Sequence, residues 1–180
     1  SDANPIVSMM AEDGIRALAR ALPRIVRNAG DAEARSEALY GAWLGGAVLG
    51  AVGMALHHKL CHTLGGSFGL PHAETHTVVL PHAMAYNASA APEAMERVVR
   101  ALNAAGFAAT DAAGGLWDLA AGLHAPMSLE AIGMLRRNLE KAADLAVENP
   151  YWNPRPVTRG GVRDLLEDTF HGKRPVGGKP

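Results

Sequence analysis

Six of the eight histidines in this 180-residue chain lie between positions 57 and 82. They are His57, His58, His62, His72, His76 and His82. Imidazole titrates closer to neutral pH than any other side chain, and its neutral ring is the commonest metal ligand in proteins. Only Lys59 and Glu74 are charged within the same stretch. Core packing gives no reason for so many imidazoles, and their concentration therefore predicts a functional site.

The spacing of three of these histidines indicates how they meet. His58 and His62 are four residues apart, which places both rings on one face of a predicted helix. Three glycines follow and allow a sharp return, so His72 at the start of the next helix can face the first two. Two histidines on one helix and a third after a turn can hold a metal ion. The zinc-protease pattern is absent, because no glutamate follows His58, and for any single ring a core histidine that caps a helix remains the alternative.

The elements that position these rings are predicted to be helical throughout. Apolar residues recur at helical spacing, and no stretch alternates with a period of two. The prediction is an all-α domain of seven to nine helices over residues 1–173, followed by a loose tail at 174–180. Asn4 before Pro5 begins the first helix, which Pro23 should kink or split, and Asp31 caps the second. The later predicted helices are Ala32–Leu64, one from His72 interrupted at Pro81, Pro92–Leu102, Asp111–Leu123, Leu129–Glu148 and Gly161–Thr169.

Composition narrows the class of protein. Apolar residues make up 48% of the chain and charged residues 19%, which is typical of a globular domain. The net charge of -1 and the few aromatic residues argue against nucleic-acid binding. The single cysteine, Cys61, excludes an internal disulfide and is predicted to be a buried thiol. With no visible signal peptide, a cytoplasmic location is expected.

One segment requires a membrane test. Residues 38–56 carry no charge and are long enough to cross a bilayer. Five of them are glycine, and His57 and His58 follow at once. We therefore expect a buried central helix, with Trp43 and the Gly45-Gly46 pair in the core, and no membrane association.

The histidine region resembles the signature of the iron-containing alcohol dehydrogenase family. The residues that carry the resemblance are His58-x-x-x-His62-x-Leu64-Gly65-Gly66, then Pro71-His72, Leu80-Pro81-His82 and Asn87. The amino-acid sequence of residues 57–66, 70–77 and 149–156 is similar to that of the maleylacetate reductase branch of the family. The similarity extends over essentially the whole chain, from Asp2 onward.

The resemblance implies a fold and a set of site residues. Family members join an N-terminal α/β domain that binds NAD(P) to a helical C-terminal domain with a dehydroquinate synthase-like fold, and this sequence matches only the helical half. His58 and His72 match two of the four residues that bind Fe²⁺ or Zn²⁺ in metal-containing members; the other two would precede Asp2. His62 matches the position that faces nicotinamide and substrate, and it is the predicted catalytic residue.

The implied reaction is NAD(P)H-dependent reduction of maleylacetate to 3-oxoadipate, a step in the degradation of aromatic compounds. The substrate has two carboxylates and needs cations, for which Lys59 and Arg155 are the candidates. The other predicted substrate-binding residues are His57, His76 and Tyr151. A homodimer is expected. The chain by itself is expected to be inactive and to bind metal weakly, because the nucleotide-binding half and two metal ligands are missing.

Two alternatives remain at this point. One is another iron-type alcohol dehydrogenase that acts on a small alcohol or aldehyde. His76 argues against it, because the wider family more often has a smaller polar residue there. The other is a non-enzymatic helical domain that binds metal or a protein partner.

Overall fold

The computed structural model describes residues 4–177, which form eight α-helices and no β-strand. The helices are α1 (Pro5–Arg27), α2 (Ala32–Ala51), α3 (Leu56–Phe68), α4 (His72–Asn87), α5 (Pro92–Ala104), α6 (Ala112–Gly122), α7 (Leu139–Glu148) and α8 (Arg159–Phe170). Short 3₁₀ turns occur at Ala88–Ala90 and Arg136–Asn138. The predicted all-α fold is confirmed. Asp2 and the last three residues of the predicted tail lie outside the described residues.

Side-chain oxygens cap the starts of several helices. The Asn4 side chain accepts a hydrogen bond from the Val7 backbone N–H at 3.0 Å, with Pro5 in the first turn. Asp31 accepts in the same way from Ala34 at 3.0 Å. Both predicted helix starts are confirmed, and each cap satisfies an amide that has no partner within its helix.

The single helix predicted from Ala32 to Leu64 is wrong. The chain breaks at residues 52–55, and α2 and α3 meet at 97°. The backbone N–H of Leu56, in the first turn of α3, donates to the side-chain oxygen of Asn153 at 3.3 Å. A residue almost one hundred positions away therefore stabilises the new helix start, and local sequence carries no signal of it.

The glycine turn after α3 is present, but it begins later than predicted. The helix continues through Gly65 and Gly66 to Phe68, and Gly69 ends it in the left-handed conformation, with φ 68°. Its N–H donates to the Gly65 carbonyl at 3.0 Å. Glycine adopts this conformation without the steric cost of a side chain, so the chain can turn directly into α4.

Further local predictions are corrected. The interruption predicted at Pro81 is absent, and of the kink or split predicted at Pro23 the split is absent; both helices continue through the proline. The helix predicted to begin at Leu129 begins at Leu139. Residue 129 instead donates its N–H to the Thr169 carbonyl at 3.1 Å, at the end of α8.

The segment predicted to be a buried central helix is largely exposed. Helix α2 buries only Ala34, Gly41 and Leu44. Leu39 is 73% exposed and Trp43 is 65% exposed, because among the described residues α2 packs mainly against α1. In the described part of the chain no single helix is both long and apolar enough to cross a membrane; α2 and α3 meet that criterion only together, as a bent pair.

The main core lies between α3, α4, α7 and α8. Leu56, Leu60 and Leu64, spaced four residues apart on α3, are all fully buried in it. A smaller core joins α1, α5 and α6. Because one face of α3 is held so firmly, the opposite face has a fixed direction, and it carries histidines.

The predicted tail begins with an anchored residue. The Arg174 guanidinium donates two hydrogen bonds to Asp118 on α6, at 2.9 and 2.8 Å. The described part of the tail therefore lies against the domain at its first residue.

Candidate active site

Five histidines from α3 and α4 form one cluster, which we call the histidine cluster: His57, His58, His62, His72 and His76. The first three lie on α3 and the last two on α4. The turn at Gly69 reverses the chain between the helices, so the two histidine-bearing faces meet. The convergence predicted for His58, His62 and His72 is present in the structure.

His76 lies inside the cluster and not at its edge. Its ring centroid is 4.3 Å from that of His72, 4.8 Å from that of His58 and 4.9 Å from that of His57. The His62 ring is farther out, 6.1 Å from His58 and 6.4 Å from His72. Residue 76 therefore connects rings from both helices, whereas residue 62 stands at the solvent side, where its side chain is exposed.

The cluster is electrically neutral at its centre. Burial, together with the smaller effect of its histidine neighbours, lowers the pKa of His76 to about 4. Burial also lowers the pKa of His57, against a hydrogen bond to the backbone of residue 76. The pKa of His58 is lowered by burial and by the rings of residues 62 and 72. Neutral rings each offer one lone pair and one N–H, which suits them to bind a metal or to donate to an anionic oxygen.

An apolar cavity of about 370 Å³ opens beside the cluster, between α2, α3 and α4. His57 and His58 form one wall, and Leu49, Met54 and Leu80 contribute apolar surface. Leu49 and Met54 are 45% and 42% exposed. An exposed apolar patch thus lies next to the histidines, and such a patch typically marks a surface that contacts another part of a protein or a ligand.

The two predicted substrate cations occupy different surroundings. Lys59 follows the cluster residue His58 on α3, and its Nζ lies 6.0 Å from the centre of the Tyr151 ring. Arg155 stacks on the Tyr86 ring at 4.4 Å and donates to the Tyr86 carbonyl at 3.2 Å. Arg155 lines a separate cavity of about 270 Å³. Of the two, only Lys59 lies on a helix that carries histidines of the cluster.

Tyr151 is held largely by packing. It is half-buried against the main core, its hydroxyl is buried without a hydrogen-bond partner, and burial raises its pKa to about 12. His82, quoted in the family signature, is buried at 4% exposure and lines the cavity of Arg155. Neither residue contributes a ring to the histidine cluster.

The described residues do not supply the four ligands of the metal that the resemblance implies. Those residues contain one set of three ligand atoms close enough to share an ion, and it belongs to His57, Cys61 and His76, with all separations within 4.8 Å. His58 and His72 contribute two imidazoles without a third ligand at such a distance. By themselves, these two residues do not complete the four-ligand site of the family.

Sequence reasoning missed the set of His57, Cys61 and His76. The signal was present, because positions 57 and 61 are one helical turn apart on α3. The predicted burial of the thiol is confirmed at 1% exposure. The position of residue 76 depends on the crossing of two helices, which the sequence does not specify.

With this geometry in place, comparisons with known proteins identify the fold family. The chain matches the sequence profile described as "Fe-containing alcohol dehydrogenase family, C-terminal" over residues 1–170. It is 58% identical over 174 residues to the maleylacetate reductase of Burkholderia cepacia, covering 97% of this chain and 48% of that protein.

Solved structures give the same result. The crystal structure of maleylacetate reductase from Agrobacterium tumefaciens superposes with a TM-score of 0.90 at 53% identity, covering 96% of this chain and 47% of the other. An iron-containing alcohol dehydrogenase from Corynebacterium glutamicum gives 0.88 at 45% identity, covering 96% and 48%. The chain thus spans about half the length of the curated relatives it matches.

Proposed function

The chain belongs to the Fe-containing alcohol dehydrogenase family, as its C-terminal domain, and we propose that it is the substrate-facing half of a maleylacetate reductase-type oxidoreductase. The observation that carries this proposal is the histidine cluster on α3 and α4, with an exposed His62 and an apolar cavity at its side. The relatives named for this activity are 58% and 53% identical to the chain.

The reaction suits such a cluster. Addition of a hydride to the double bond of an enone places negative charge on the ketone oxygen, and a positioned N–H donor stabilises that charge. A proton must then reach carbon, which requires a general acid. His62 is the candidate for one of these roles, because its ring is exposed, as is that of His72, and because it matches the family position that faces the substrate.

The central rings have a different proposed role. His58 and His76 lie 4.8 Å apart and sit behind the outer ring. Their lowered pKa values favour neutral imidazoles at physiological pH, so they do not place fixed positive charge behind the substrate. We assign both to positioning the outer rings, and His58 also to shaping the wall of the cavity.

The cofactor in this proposal is NAD(P)H, which supplies the hydride. The described residues contain no β-strand, and so they offer no strand-to-helix turn that could hold a dinucleotide. The nicotinamide is therefore proposed to be presented by an α/β half of the kind that the relatives' additional length allows. The apolar cavity beside His57 and His58 is where that half would close over the substrate.

The substrate is proposed to be a dicarboxylate, and Lys59 is the cation placed to meet one carboxylate. Arg155 stacks on the Tyr86 ring and donates a hydrogen bond to the Tyr86 carbonyl, so it is not among the residues proposed to contact the substrate. A homodimer in the cytoplasm remains the expected state of the enzyme.

A second candidate is an alcohol dehydrogenase for small substrates. The specific observation that favours it is the 45% identity to the iron-containing alcohol dehydrogenase of Corynebacterium glutamicum. The two candidates differ in what the cluster must do, because alcohol oxidation removes a proton from oxygen and enone reduction delivers one to carbon.

The test is a substrate comparison on the complete gene product that carries this sequence. NADH and NADPH oxidation are followed with maleylacetate, and NAD⁺ reduction is followed with ethanol and 1,3-propanediol. The proposal predicts turnover with maleylacetate at least about a hundredfold faster than with either alcohol. Faster turnover with an alcohol would contradict it and favour the second candidate. The 180-residue chain alone serves as the control and should show no turnover with any of them.

A further inference from the structure

The residues of the histidine cluster that face the domain interior, together with the only cysteine, suggest a second use of this region. We propose that His57, Cys61 and His76 form a binding site for a thiophilic divalent cation of the Zn²⁺ class, which fastens α3 to α4. This site is separate from the His58 and His72 pair that the family resemblance assigns to a metal. It does not depend on the proposed reductase activity.

The first argument is geometric. His57 and Cys61 are one turn apart on α3 and point to the same side, and His76 reaches them from α4. Their ligand atoms lie within 4.8 Å of one another. In a tetrahedral zinc site with Zn–S near 2.3 Å and Zn–N near 2.0 Å, ligand atoms are about 3.3–3.5 Å apart. The ligand atoms therefore need to approach one another by about 1 Å to reach tetrahedral zinc geometry.

The second argument is the state of the ring nitrogens. Nε2 of His76 is buried and has no hydrogen-bond partner. A buried polar atom without a partner costs free energy, and a metal bond would satisfy it. Nothing else in the described residues is placed to do so.

The third argument concerns His57. Its Nε2 lies 3.0 Å from the backbone carbonyl of His76. A carbonyl only accepts hydrogen bonds, so Nε2 carries the proton and Nδ1 keeps the lone pair. A histidine that binds metal typically donates its other N–H to a backbone carbonyl or a carboxylate, which fixes the ring. This bond therefore prepares His57 to bind through Nδ1.

The thiol selects the kind of ion. Cys61 is 99% buried, and its Sγ lies 3.8 Å from the Thr75 carbonyl, the residue before His76. Without a metal, burial raises the pKa of this thiol to about 12, so it stays protonated. Binding breaks the S–H bond, forms a bond from sulfur to the ion and releases one proton to solvent. Hard ions such as Mg²⁺ and Ca²⁺ prefer oxygen ligands and do not suit two imidazoles and a thiolate.

The site also has a route to solvent. His57 lines the open cavity of about 370 Å³ between α2, α3 and α4. The ring of His57 is thereby open to solvent on one side, and a water molecule from the cavity can take the fourth tetrahedral position. With three protein ligands from two helices, the ion would stabilise the α3–α4 pair against separation.

The experiment measures metal binding by the 180-residue chain itself. X-ray absorption of the zinc-loaded chain should show one sulfur near 2.3 Å together with nitrogen or oxygen ligands near 2.0 Å. Cobalt in place of zinc should give a thiolate-to-metal charge-transfer band in the near ultraviolet. Zinc should also raise the melting temperature of the chain.

Variants then locate the ion. Cys61→Ala should abolish the charge-transfer band, and His57→Gln or His76→Gln should weaken zinc binding by about tenfold or more. The matched controls are His62→Gln on α3 and His72→Gln on α4, which should leave the band and the affinity unchanged. Circular dichroism verifies that each variant is folded.

Three results would overturn the proposal. One is a zinc coordination shell without sulfur in the unsubstituted chain, a measurement that requires no variant to fold. Another is loss of binding in His72→Gln with binding retained in His76→Gln, which would place the ion on the family's pair. The third is the absence of measurable zinc binding.

Discussion

The ring centroid of His76 lies 4.3 Å from that of His72, one helical turn earlier on α4. This pair joins the two helices, because residue 76 also contacts rings from α3. The histidine cluster is therefore a group of imidazoles whose positions are set by the packing of α3 on α4. Its properties should change with anything that disturbs that packing.

The inner face of α3 is the main support of the cluster. Leu64→Ala should lower the free energy of unfolding by about 2–5 kcal/mol, since the side chain is fully buried and its removal leaves a cavity. Leu39→Ala is the control, because that leucine is 73% exposed, and it should change stability by less than about 0.5 kcal/mol. Urea unfolding of the 180-residue chain measures both. Equal losses of stability in the two variants would contradict the burial of Leu64 in the main core.

Asn153 holds the start of α3 from a distance. Its side chain accepts from the Leu56 N–H and exchanges hydrogen bonds with Asn87. Asn153→Ala should cost about 1–2 kcal/mol of stability and speed amide hydrogen exchange at Leu56. Asn103→Ala, whose side chain bonds only within its local loop, should leave exchange at Leu56 unchanged. Unaltered exchange at Leu56 in Asn153→Ala would contradict the capping role.

His82 gives the fold a predictable dependence on pH. Burial lowers its pKa from 6.5 to about 4, so the unfolded chain binds a proton that the folded chain excludes. The contribution of neutral His82 to the free energy of unfolding is fully present above pH 6.5 and is lost as the pH falls toward 4. The loss should be about 2 kcal/mol between pH 8 and pH 5. His82→Leu should remove that part of the pH dependence, which urea unfolding at the two pH values measures. An unchanged slope would show that residue 82 does not titrate this way.

Substitution of the two candidate cations, Lys59 and Arg155, should have different effects on KM. Lys59→Ala in the complete gene product should raise KM for maleylacetate about tenfold or more, because an unpaired carboxylate loses a charge-assisted hydrogen bond. Arg155→Ala should leave KM within about twofold and lower stability instead, since its guanidinium stacks on Tyr86. A raised KM in Arg155→Ala together with an unchanged KM in Lys59→Ala would indicate instead that the arginine binds the substrate.

How far the sequence specified the molecule can be seen from individual residues. The cap at Asn4, the αL glycine turn before α4 and the meeting of His58, His62 and His72 follow local rules of spacing and turn chemistry. The break before Leu56 does not, because its partner Asn153 is distant in sequence. The engagement of Arg155 with Tyr86 depends on the same kind of long-range packing.

The exposure of α2 has another physical cause. Its charge-free residues were expected in a core, since burial is the usual state of such a helix. In the described part of the chain Trp43 remains 65% exposed, because the helix packs mainly against α1. Composition predicts that a surface needs to be covered, but it does not identify what covers it.

The central claim is that the outer ring of the cluster, His62, acts on the substrate. The most direct test is steady-state reduction of maleylacetate by the complete gene product with His62→Ala, compared with His124→Asn, an exposed histidine outside the cluster. We predict that kcat falls by about a hundredfold or more in the first variant and stays within about twofold in the second. Full activity of His62→Ala would contradict it.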